Sequence, residues 1–227
     1  MDRKRIAAER AARYLRDGMV VGLGTGSTAY WAIREIGRLV RDGLSIRAIA
    51  TSKQSEAHAR RLGIPIVSFA EIDTIDLTID GADEVDADLQ VIKGGGGALL
   101  REKIVAGASK ELIIIVDDEK PVEQLGKFPL PVEVVPFGFE LAVRRLQELG
   151  CKPVLRLHEE IPFLTDNGNY TVDCHFGRIE HPIELHTAIN RIVGVVDNGL
   201  FLNMANRVII GCSDGAVKEW DKHGDAV

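Results

Sequence analysis

Between Ile79 and Ile104 the chain reads IDGADEVDADLQVIKGGGGALLREKI, in which a run of acids is followed by a lysine and four glycines. Five carboxylates fall within ten residues, and Lys93, four consecutive glycines and Glu102 follow them. This combination suits a reaction in which protons move and negative charge develops, because carboxylates transfer protons while cations and backbone N–H groups stabilise oxyanions. The later acids of the run, Asp86 and Asp88, are predicted to be solvated.

The first acids of the run, Asp80 and Asp83, bracket Gly81 and Ala82, which are small enough to admit a substrate. Two carboxylates in this position can hold sugar hydroxyls and move protons. Two other interpretations stay open, because acids in a loop are often merely solvated, and one or two carboxylates can hold Mg²⁺. An EF-hand calcium loop is excluded, since its D-x-D-x-D-G spacing is absent.

The four glycines after Lys93 cost backbone entropy, so an ordinary surface loop has little reason to contain them. Together with the lysine they form a corner that can stabilise developing negative charge. Glu102 follows on a predicted helix, on a stripe of small and apolar residues that would turn it inward, where burial raises the pKa of a carboxyl group. The alternative is that Arg101, Glu102 and Lys103 form an ordinary charged helix face.

A second glycine-rich loop, GLGTGSTA, runs from Gly22 to Ala29 between a predicted strand and a predicted helix. The free N–H groups at the start of that helix and the hydroxyls of Thr25, Ser27 and Thr28 favour a phosphate cradle. The loop also fits the dinucleotide pattern G-x-G-x-x-A, but the acid that this pattern needs about 20 residues later is missing. A Walker loop is excluded because no G-K-[ST] is present. A purely structural turn is the third interpretation.

These loops need a scaffold, and the first half of the chain alternates strand and helix patterns. Continuous apolar strands between helices predict an α/β, Rossmann-like, mostly parallel sheet with helices on both faces. Ligands bind such sheets beyond the carboxyl ends of the strands, where all three loops fall. The predicted strands are MVVGLG, LSIRAIA, IPIVSF, IDLTID and ELIIIVDD, with NRVIIG returning to the same sheet.

Near Pro131 the pattern changes to strand, helix, strand, strand, helix and strand, which is typical of an α+β ferredoxin-like unit. Its segments include the turn TDNGN and a closing strand VGVVDNGLF. We therefore predict a Rossmann-like catalytic domain over 1–130 and 203–227, and a smaller ferredoxin-like domain over 131–202. The polar sequence after Lys218 is predicted to be a tail.

Composition narrows the possible function classes. A net charge of −6 without a basic cluster argues against nucleic-acid binding, which needs concentrated Lys and Arg. No apolar run reaches the roughly 18 residues of a membrane helix, and the start MDRKRIAAERAARYL indicates an amphipathic helix instead of a secretory signal. Three scattered cysteines favour neither a zinc site nor a redox dithiol. We expect a cytoplasmic protein without membrane or nucleic-acid partners.

Taken together, GLGTGSTA, DGADEVD, KGGGGALLREKI, LGKFPLPVEV and TDNGN closely resemble the A-type ribose-5-phosphate isomerase family. Each segment alone is modestly specific, whereas the set, in the right order over nearly the whole chain, is highly specific. The resemblance implies interconversion of ribose 5-phosphate and ribulose 5-phosphate in the pentose phosphate pathway, with no metal and no other cofactor. It also implies a homodimer or homotetramer, with the second domain as a plausible contact surface.

The resemblance further implies roles for single residues. Glu102 corresponds to the family's catalytic glutamate, Asp80 and Asp83 to its two active-site aspartates, and Lys93 to its lysine. The implied substrate-binding positions are Thr25, Gly26, Ser27, Thr28, Gly81, Ala82, Gly94, Gly95, Gly96 and Lys120. The segment TSKQSE, after the second strand, lies where the family varies.

The expected mechanism moves one proton between C2 and C1 through an enediolate. Glu102 would carry the proton, while Lys93 and the glycine N–H groups would stabilise the enediolate oxygen. Asp80 and Asp83 would bind hydroxyls, assist ring opening and shuttle protons between O1 and O2, and the first glycine-rich loop would hold the phosphate. Two alternatives are a sugar-phosphate sensor without a base and an acyl-transferring enzyme, similar to CoA transferases, in which a glutamate is the nucleophile.

Overall fold

The computed structural model describes residues 2–222. Its helices are α1 (Arg3–Ala12), α2 (Ser27–Arg41), α3 (Lys53–Arg61), α4 (Leu99–Gly107), α5 (Phe139–Glu148) and α6 (Pro182–Asn190). Its strands are β1 (Val20–Leu23), β2 (Arg47–Ala50), β3 (Ile75–Gly81), β4 (Glu84–Val85), β5 (Val91–Ile92), β6 (Ser109–Asp117), β7 (Leu130–Val134), β8 (Lys152–Leu155), β9 (Leu157–His158), β10 (Ile161–Pro162), β11 (Tyr170–His175), β12 (Val195–Asn198), β13 (Leu200–Phe201), β14 (Arg207–Gly211) and β15 (Val217–Asp221).

Tertiary contacts divide the chain into two compact units. The first unit takes the residues up to Ala82, Arg101–Lys120 and the residues from Asn203 onward, and the second takes Asp83–Leu100 and Pro121–Leu202. The predicted domain boundaries stay a prediction, because a compact set of contacts does not by itself show which segments fold independently. No helix in the described range combines the length and apolarity that crossing a membrane requires.

The sheet of the first unit has the strand order β15-β14-β6-β3-β1-β2, and every pair is parallel except the edge pair β14–β15. Alternate residues of its strands point to opposite faces. Leu77, Ile79 and Ile113 pack in one core with α1, α2 and α3, whereas Val105 of α4 packs with other strand residues in a separate cluster. The predicted α/β class, with helices on both faces, is confirmed.

The predicted strand IPIVSF is wrong in extent. Only Ile66 forms a bridge, parallel to Ala48, and Pro65 cannot donate a backbone hydrogen bond to a neighbouring strand. Ser68 then leaves the sheet direction, because its hydroxyl and N–H both donate to the Glu71 carboxylate at 2.7 Å. The chain therefore turns into a short 3-10 helix over Phe69–Glu71.

The segment that the sequence analysis treated as a polar tail contains part of β15. Val217–Asp221 pair with β14, and the buried Glu219 carboxylate is bonded to Arg10, Tyr14 and Arg207. Three partners satisfy an acid that would be costly to bury alone. Residues 223–227 of the predicted tail lie outside the described residues.

The second unit contains a four-stranded antiparallel sheet of order β12-β7-β11-β8. With α5 after β7 and α6 after β11, this is the predicted βαββαβ ferredoxin-like arrangement. A hairpin, β9–β10, and a small sheet, β13-β5-β4, are added to it.

The predicted closing strand VGVVDNGLF is in fact two strands, β12 and β13, in different sheets. The chain turns at Asn198, whose Oδ1 accepts the N–H of Leu200 at 3.0 Å. Gly199 follows, and a Cβ there would lie 2.2 Å from the Lys93 carbonyl oxygen. The close backbone approach explains both the glycine and the break.

Candidate functional site

The segment from Thr25 to Thr28 leads from the carboxyl end of β1 into the first turn of α2, in the first unit. Gly26 is the N-cap of α2, with φ of 106°, and provides no side-chain capping hydrogen bond. The first N–H groups of the helix are therefore available to an anion. Gly26 and Ser27 are exposed, and Thr25 and Thr28 are partly exposed, so a ligand can reach them.

The hydroxyl of Thr25 is held by a network that the sequence analysis missed. Thr25 Oγ1 lies 2.7 Å from Thr51 Oγ1 and donates to Ser52 Oγ at 2.8 Å. Ser55 Oγ donates to the carbonyl of Gly24 at 2.7 Å. Thr51, Ser52 and Ser55 belong to the variable segment set aside earlier. These residues could have been predicted to lie near the loop, because they follow β2 directly and the carboxyl ends of β1 and β2 lie at the same edge of the sheet.

Asp80 lies one residue before the end of β3, beside this loop, and is buried. Its Oδ1 accepts the N–H of Thr25 at 3.1 Å and that of Gly81 at 2.7 Å. A Cβ on Gly24 would lie 2.0 Å from the same oxygen, so glycine is required there. Asp80 therefore fixes the conformation of the glycine-rich loop between Gly22 and Ala29. The sequence analysis did not predict this role.

Two lysines of the first unit lie near the same sheet edge. Lys4, in the first turn of α1, donates to Ser27 Oγ at 2.8 Å, and its Nζ is 4.0 Å from Asp117 Oδ2. The sequence analysis missed Lys4, because nothing in the local sequence links α1 to the loop. Lys120 lies in the turn after β6, where its N–H donates to Asp117 O at 3.2 Å.

Glu102 lies in the first turn of α4 and is only 4% exposed. Its neighbours Arg101 and Lys103 are partly exposed. The predicted inward orientation of Glu102 is thus confirmed, and the alternative of a common charged helix face is wrong. A carboxylate shielded from water is well suited to act on a bound substrate.

In the second unit, Asp83 is bonded to the glycine run. Its Oδ2 accepts the N–H of Gly95 at 2.8 Å, and a Cβ on Gly95 would lie only 2.5 Å from Asp83 Oδ1. Gly94 and Gly97 have φ of 106° and 76°, a region that disfavours side chains. The backbone conformation therefore favours glycine at Gly94 and Gly97, while at Gly95 a side chain would displace the Asp83 carboxylate. Gly95 and Gly96 are exposed, whereas Gly94 is buried.

Lys93 is 2% exposed, although it carries a long cationic side chain. Its backbone N–H donates to Gly199 O at 2.9 Å, and its Nζ lies 5.5 Å from the centre of the Phe201 ring. An aromatic face stabilises a partly desolvated cation. The fold thus supports a buried ammonium group directly before the glycine run.

Arg156 is a further residue of this region that the sequence analysis missed. Its Nη1 donates to the carbonyls of Gly94 and Gly95 at 2.9 and 3.1 Å. Its Nε and Nη2 bind the two carboxylate oxygens of Asp173 at 2.9 and 2.5 Å. No local motif indicates this contact, since Arg156 and the glycines are far apart in sequence.

Two of the remaining acids of the opening stretch, Glu84 and Asp86, have structural roles. Glu84 is buried and accepts the N–H groups of Gly126 and Phe128 at 2.7 and 2.6 Å. The predicted solvation of Asp86 is wrong, because Asp86 is partly buried and closes the β4–β5 turn by accepting the Gln90 N–H at 2.8 Å. Burial raises the pKa of the Asp86 carboxyl. Asp88 is exposed, as predicted.

The segment TDNGN also has a structural role. The Thr165 hydroxyl and the Asn169 amide donate to Oε1 of the buried Glu133 at 3.0 and 2.8 Å. This pairing attaches the turn to β7.

Within residues 2–222, no cluster of three or more His, Cys, Asp or Glu side chains is arranged to hold a metal ion. The expectation of a metal-free reaction stays a prediction, and chelation tests it directly.

Comparison with known proteins gives consistent matches over nearly the full chain. A family model described as ribose 5-phosphate isomerase A (phosphoriboisomerase A) matches residues 47–215. The ribose-5-phosphate isomerase A of Bacillus mycoides is 54% identical over 221 residues, covering 97% of this chain and all of the relative.

Solved structures agree with this match. A ribose 5-phosphate isomerase A from Methanocaldococcus jannaschii superposes with a TM-score of 0.93 at 42% identity, covering 97% of this chain and 99% of the other. A D-ribose-5-phosphate isomerase in complex with phospho-erythronic acid superposes with a TM-score of 0.94 at 39% identity, covering 97% and 98%.

Proposed function

The chain belongs to the ribose 5-phosphate isomerase A family, and we propose that Glu102 is the base in its interconversion of D-ribose 5-phosphate and D-ribulose 5-phosphate. The observation that carries the assignment is the burial of this carboxylate in the first turn of α4, directly after the glycine run. Glu102 removes the proton from C2 of the open-chain aldose and returns it to C1. One base suffices, since both carbons share the enediolate.

Negative charge develops on the enediolate oxygens, and the second unit contributes the groups suited to it. Lys93 provides a buried ammonium, and the glycine run provides backbone N–H groups. Preset donors of this kind act without reorganisation as the charge forms. The related structure with phospho-erythronic acid fits this proposal, since that ligand combines a phosphate with a carboxylate in place of the reacting carbons.

The phosphate is assigned to the first unit. The open N-terminus of α2, the side chains of Thr25, Ser27 and Thr28, and the ammonium of Lys4 offer donors and positive charge. Lys120 is proposed to contact the same end of the substrate. Binding energy from this non-reacting group holds the sugar carbons in position for the proton transfer.

Asp80 and Asp83 are proposed to bind substrate hydroxyls, to assist ring opening and to move protons between O1 and O2. Each carboxylate is oriented by backbone N–H groups, at Thr25 and Gly81 for Asp80 and at Gly95 for Asp83. Gly81, Ala82 and Gly96 are proposed to border the substrate.

The test is isomerisation of ribose 5-phosphate in the presence of EDTA, comparing wild type with Glu102→Gln and, as a matched control, the exposed Glu148→Gln. Loss of a general base costs roughly 10²- to 10⁴-fold, so Glu102→Gln should lower kcat by at least about 100-fold. Near-normal kcat in Glu102→Gln would refute the assignment. Turnover in EDTA excludes a required divalent metal.

The isomerisation assay and one further measurement, incubation with an acyl-CoA, separate the two alternatives. A sugar-phosphate sensor binds ribose 5-phosphate without producing the ketose. An acyl-transferring enzyme would give a covalent glutamyl adduct with an acyl-CoA, detectable by mass spectrometry, whereas the isomerase gives none.

We infer further that the enzyme is cytoplasmic and forms a homodimer or homotetramer through the second unit. That unit exposes large apolar side chains, with Phe137 96% and Val193 95% exposed. Exposed apolar groups of this kind favour association. Light scattering measures the molar mass, and a monomer over the working concentration range would contradict the inference.

A further inference from the structure

Arg156 bridges β8 and the hairpin β9–β10, and its position is fixed by both backbone and side chain. Its N–H donates to Thr171 O at 2.8 Å, and its carbonyl accepts the Phe163 N–H at 2.9 Å. Its side chain is 16% exposed and that of its partner Asp173 is 21% exposed. A bidentate pair shielded in this way holds a defined geometry, unlike the exposed ion pairs that contribute little.

The same guanidinium binds two successive carbonyls of the glycine run, those of Gly94 and Gly95. None of the described peptide bonds is cis. In a trans peptide, a carbonyl and the following N–H point in opposite directions. The N–H groups of Gly95 and Gly96 must therefore both point away from Arg156.

The direction of the first N–H is observed, since Gly95 N–H donates to Asp83 Oδ2 at 2.8 Å. The second, at Gly96, faces the same side by the same geometry. Two successive N–H groups on one side form a concave site that attracts negative charge. Arg156 binds the carbonyl oxygens of these two peptides, and Asp83 accepts a hydrogen bond from one of their two N–H groups.

Glycine peptides need such a restraint, because residues without a Cβ rotate among many conformations. Gly97, at the far end of the run, has no room for a side chain, because a Cβ there would lie 2.4 Å from the Phe163 ring. The Gly94 carbonyl also accepts the Gly97 N–H at 3.0 Å, and within residues 2–222 Arg156 is the side chain that binds the Gly94 and Gly95 carbonyls together. A lysine could not replace it, since a single ammonium lacks the fork that binds two carbonyls and a carboxylate together.

We propose that Arg156, held by Asp173, is a positioning residue for the isomerisation. It sets the direction of two N–H groups, one of which orients Asp83 while the next is presented to the enediolate oxygen. This inference rests on the proposed function. It goes beyond that function by assigning the oxyanion-stabilising geometry to a side chain that does not itself touch the substrate.

The test compares wild type, Arg156→Ala, Arg156→Lys and Asp173→Asn, with Arg145→Ala as a control whose ion pair to Glu148 is exposed. Misdirected oxyanion donors should lower kcat by about 10- to 100-fold, with KM changed less than about threefold. Affinity for phospho-erythronic acid should fall by the same factor as kcat. Free guanidinium ion should restore part of the activity of Arg156→Ala, and Arg156→Lys should remain impaired.

The outcomes distinguish this inference from the function on which it rests. An inactive wild type overturns both. An active wild type with unchanged kcat per folded molecule in Arg156→Ala and Arg156→Lys overturns the positioning role alone, even if the variants melt at lower temperature. A rise in KM with normal kcat overturns it too. Loss of kcat with guanidinium rescue supports it, and Arg156→Lys supplies the measurement if the alanine variant does not fold.

Discussion

Gly95→Ala is a sharp test of whether Asp83 must lie where the glycine run holds it. Gly95 does not have a positive φ, so the backbone tolerates alanine. The new Cβ would lie 2.5 Å from Asp83 Oδ1, and an ordinary contact begins at 3.4 Å, so the carboxylate must withdraw by about 0.9 Å. Because Asp83 is partly exposed, its side chain can rotate away at little cost in folding free energy.

A displacement of about 1 Å in a positioned group can cost roughly 100-fold in rate, which corresponds to about 2.7 kcal/mol of transition-state stabilisation. We therefore expect kcat/KM for ribose 5-phosphate to fall by about that factor while the urea midpoint stays near wild type. Gly107→Ala is the matched control, since a Cβ there meets nothing within 4 Å.

The double variant Gly95→Ala/Asp83→Ala identifies the cause. If the alanine acts through Asp83, adding it to Asp83→Ala should change kcat/KM by less than about threefold, because the interaction is already lost. Equal losses in both backgrounds, or a Gly95→Ala enzyme within twofold of wild type, would refute the reasoning.

Three further outcomes follow from buried groups. Thr51→Val removes a buried hydroxyl that donates to Leu23 O. The free energy of unfolding should therefore fall by about 1 kcal/mol, and KM should rise with little change in kcat. Steady-state kinetics with an unchanged KM would contradict this. Gly24→Ala places a Cβ 2.6 Å from Asp80 Cα, a backbone atom that cannot rotate away. Urea unfolding should therefore show that the free energy of unfolding falls by about 3 kcal/mol. A decrease below about 1 kcal/mol would contradict this prediction. Because burial raises the pKa of Asp86 above its value in the unfolded chain, the stability due to its protonated form is lost as pH rises. Asp86→Asn should therefore be more stable than wild type at pH 7, with the advantage shrinking toward about pH 4; a constant difference across that range would disprove the assigned cause.

Local patterns in the sequence were sufficient for most of the framework. Apolar runs predicted the strands of the main sheet, since residues covered on both faces leave an uninterrupted apolar signature. The inward orientation of Glu102 also followed from helical spacing. The prediction of a strand over IPIVSF was wrong because this apolar segment runs beside the sheet with only Ile66 paired to it. An apolar pattern does not show whether the backbone forms the hydrogen bonds of a strand.

Contacts between distant segments could not be predicted in the same way. Lys4 reaches Ser27 only because α1 packs against α2, and Arg156 reaches the glycines through the strand order of the second unit. Asp86 was mistaken for a solvated acid since its burial depends on a turn, not on composition. Such roles arise from tertiary placement, for which a single sequence carries little signal.

The strand β6 has a consequence for how the chain is made. Its centre, Ile113–Ile115, is covered on one edge by β3, which is synthesised earlier, and on the other by β14, which leaves the ribosome some 90 residues later. Until β14 is synthesised, the edge of β6 that will pair with it is unpaired. An unpaired apolar strand with a strong tendency to form β-structure promotes aggregation. The charges at Lys110, Glu111, Asp117 and Asp118 flank this edge and discourage pairing between nascent chains.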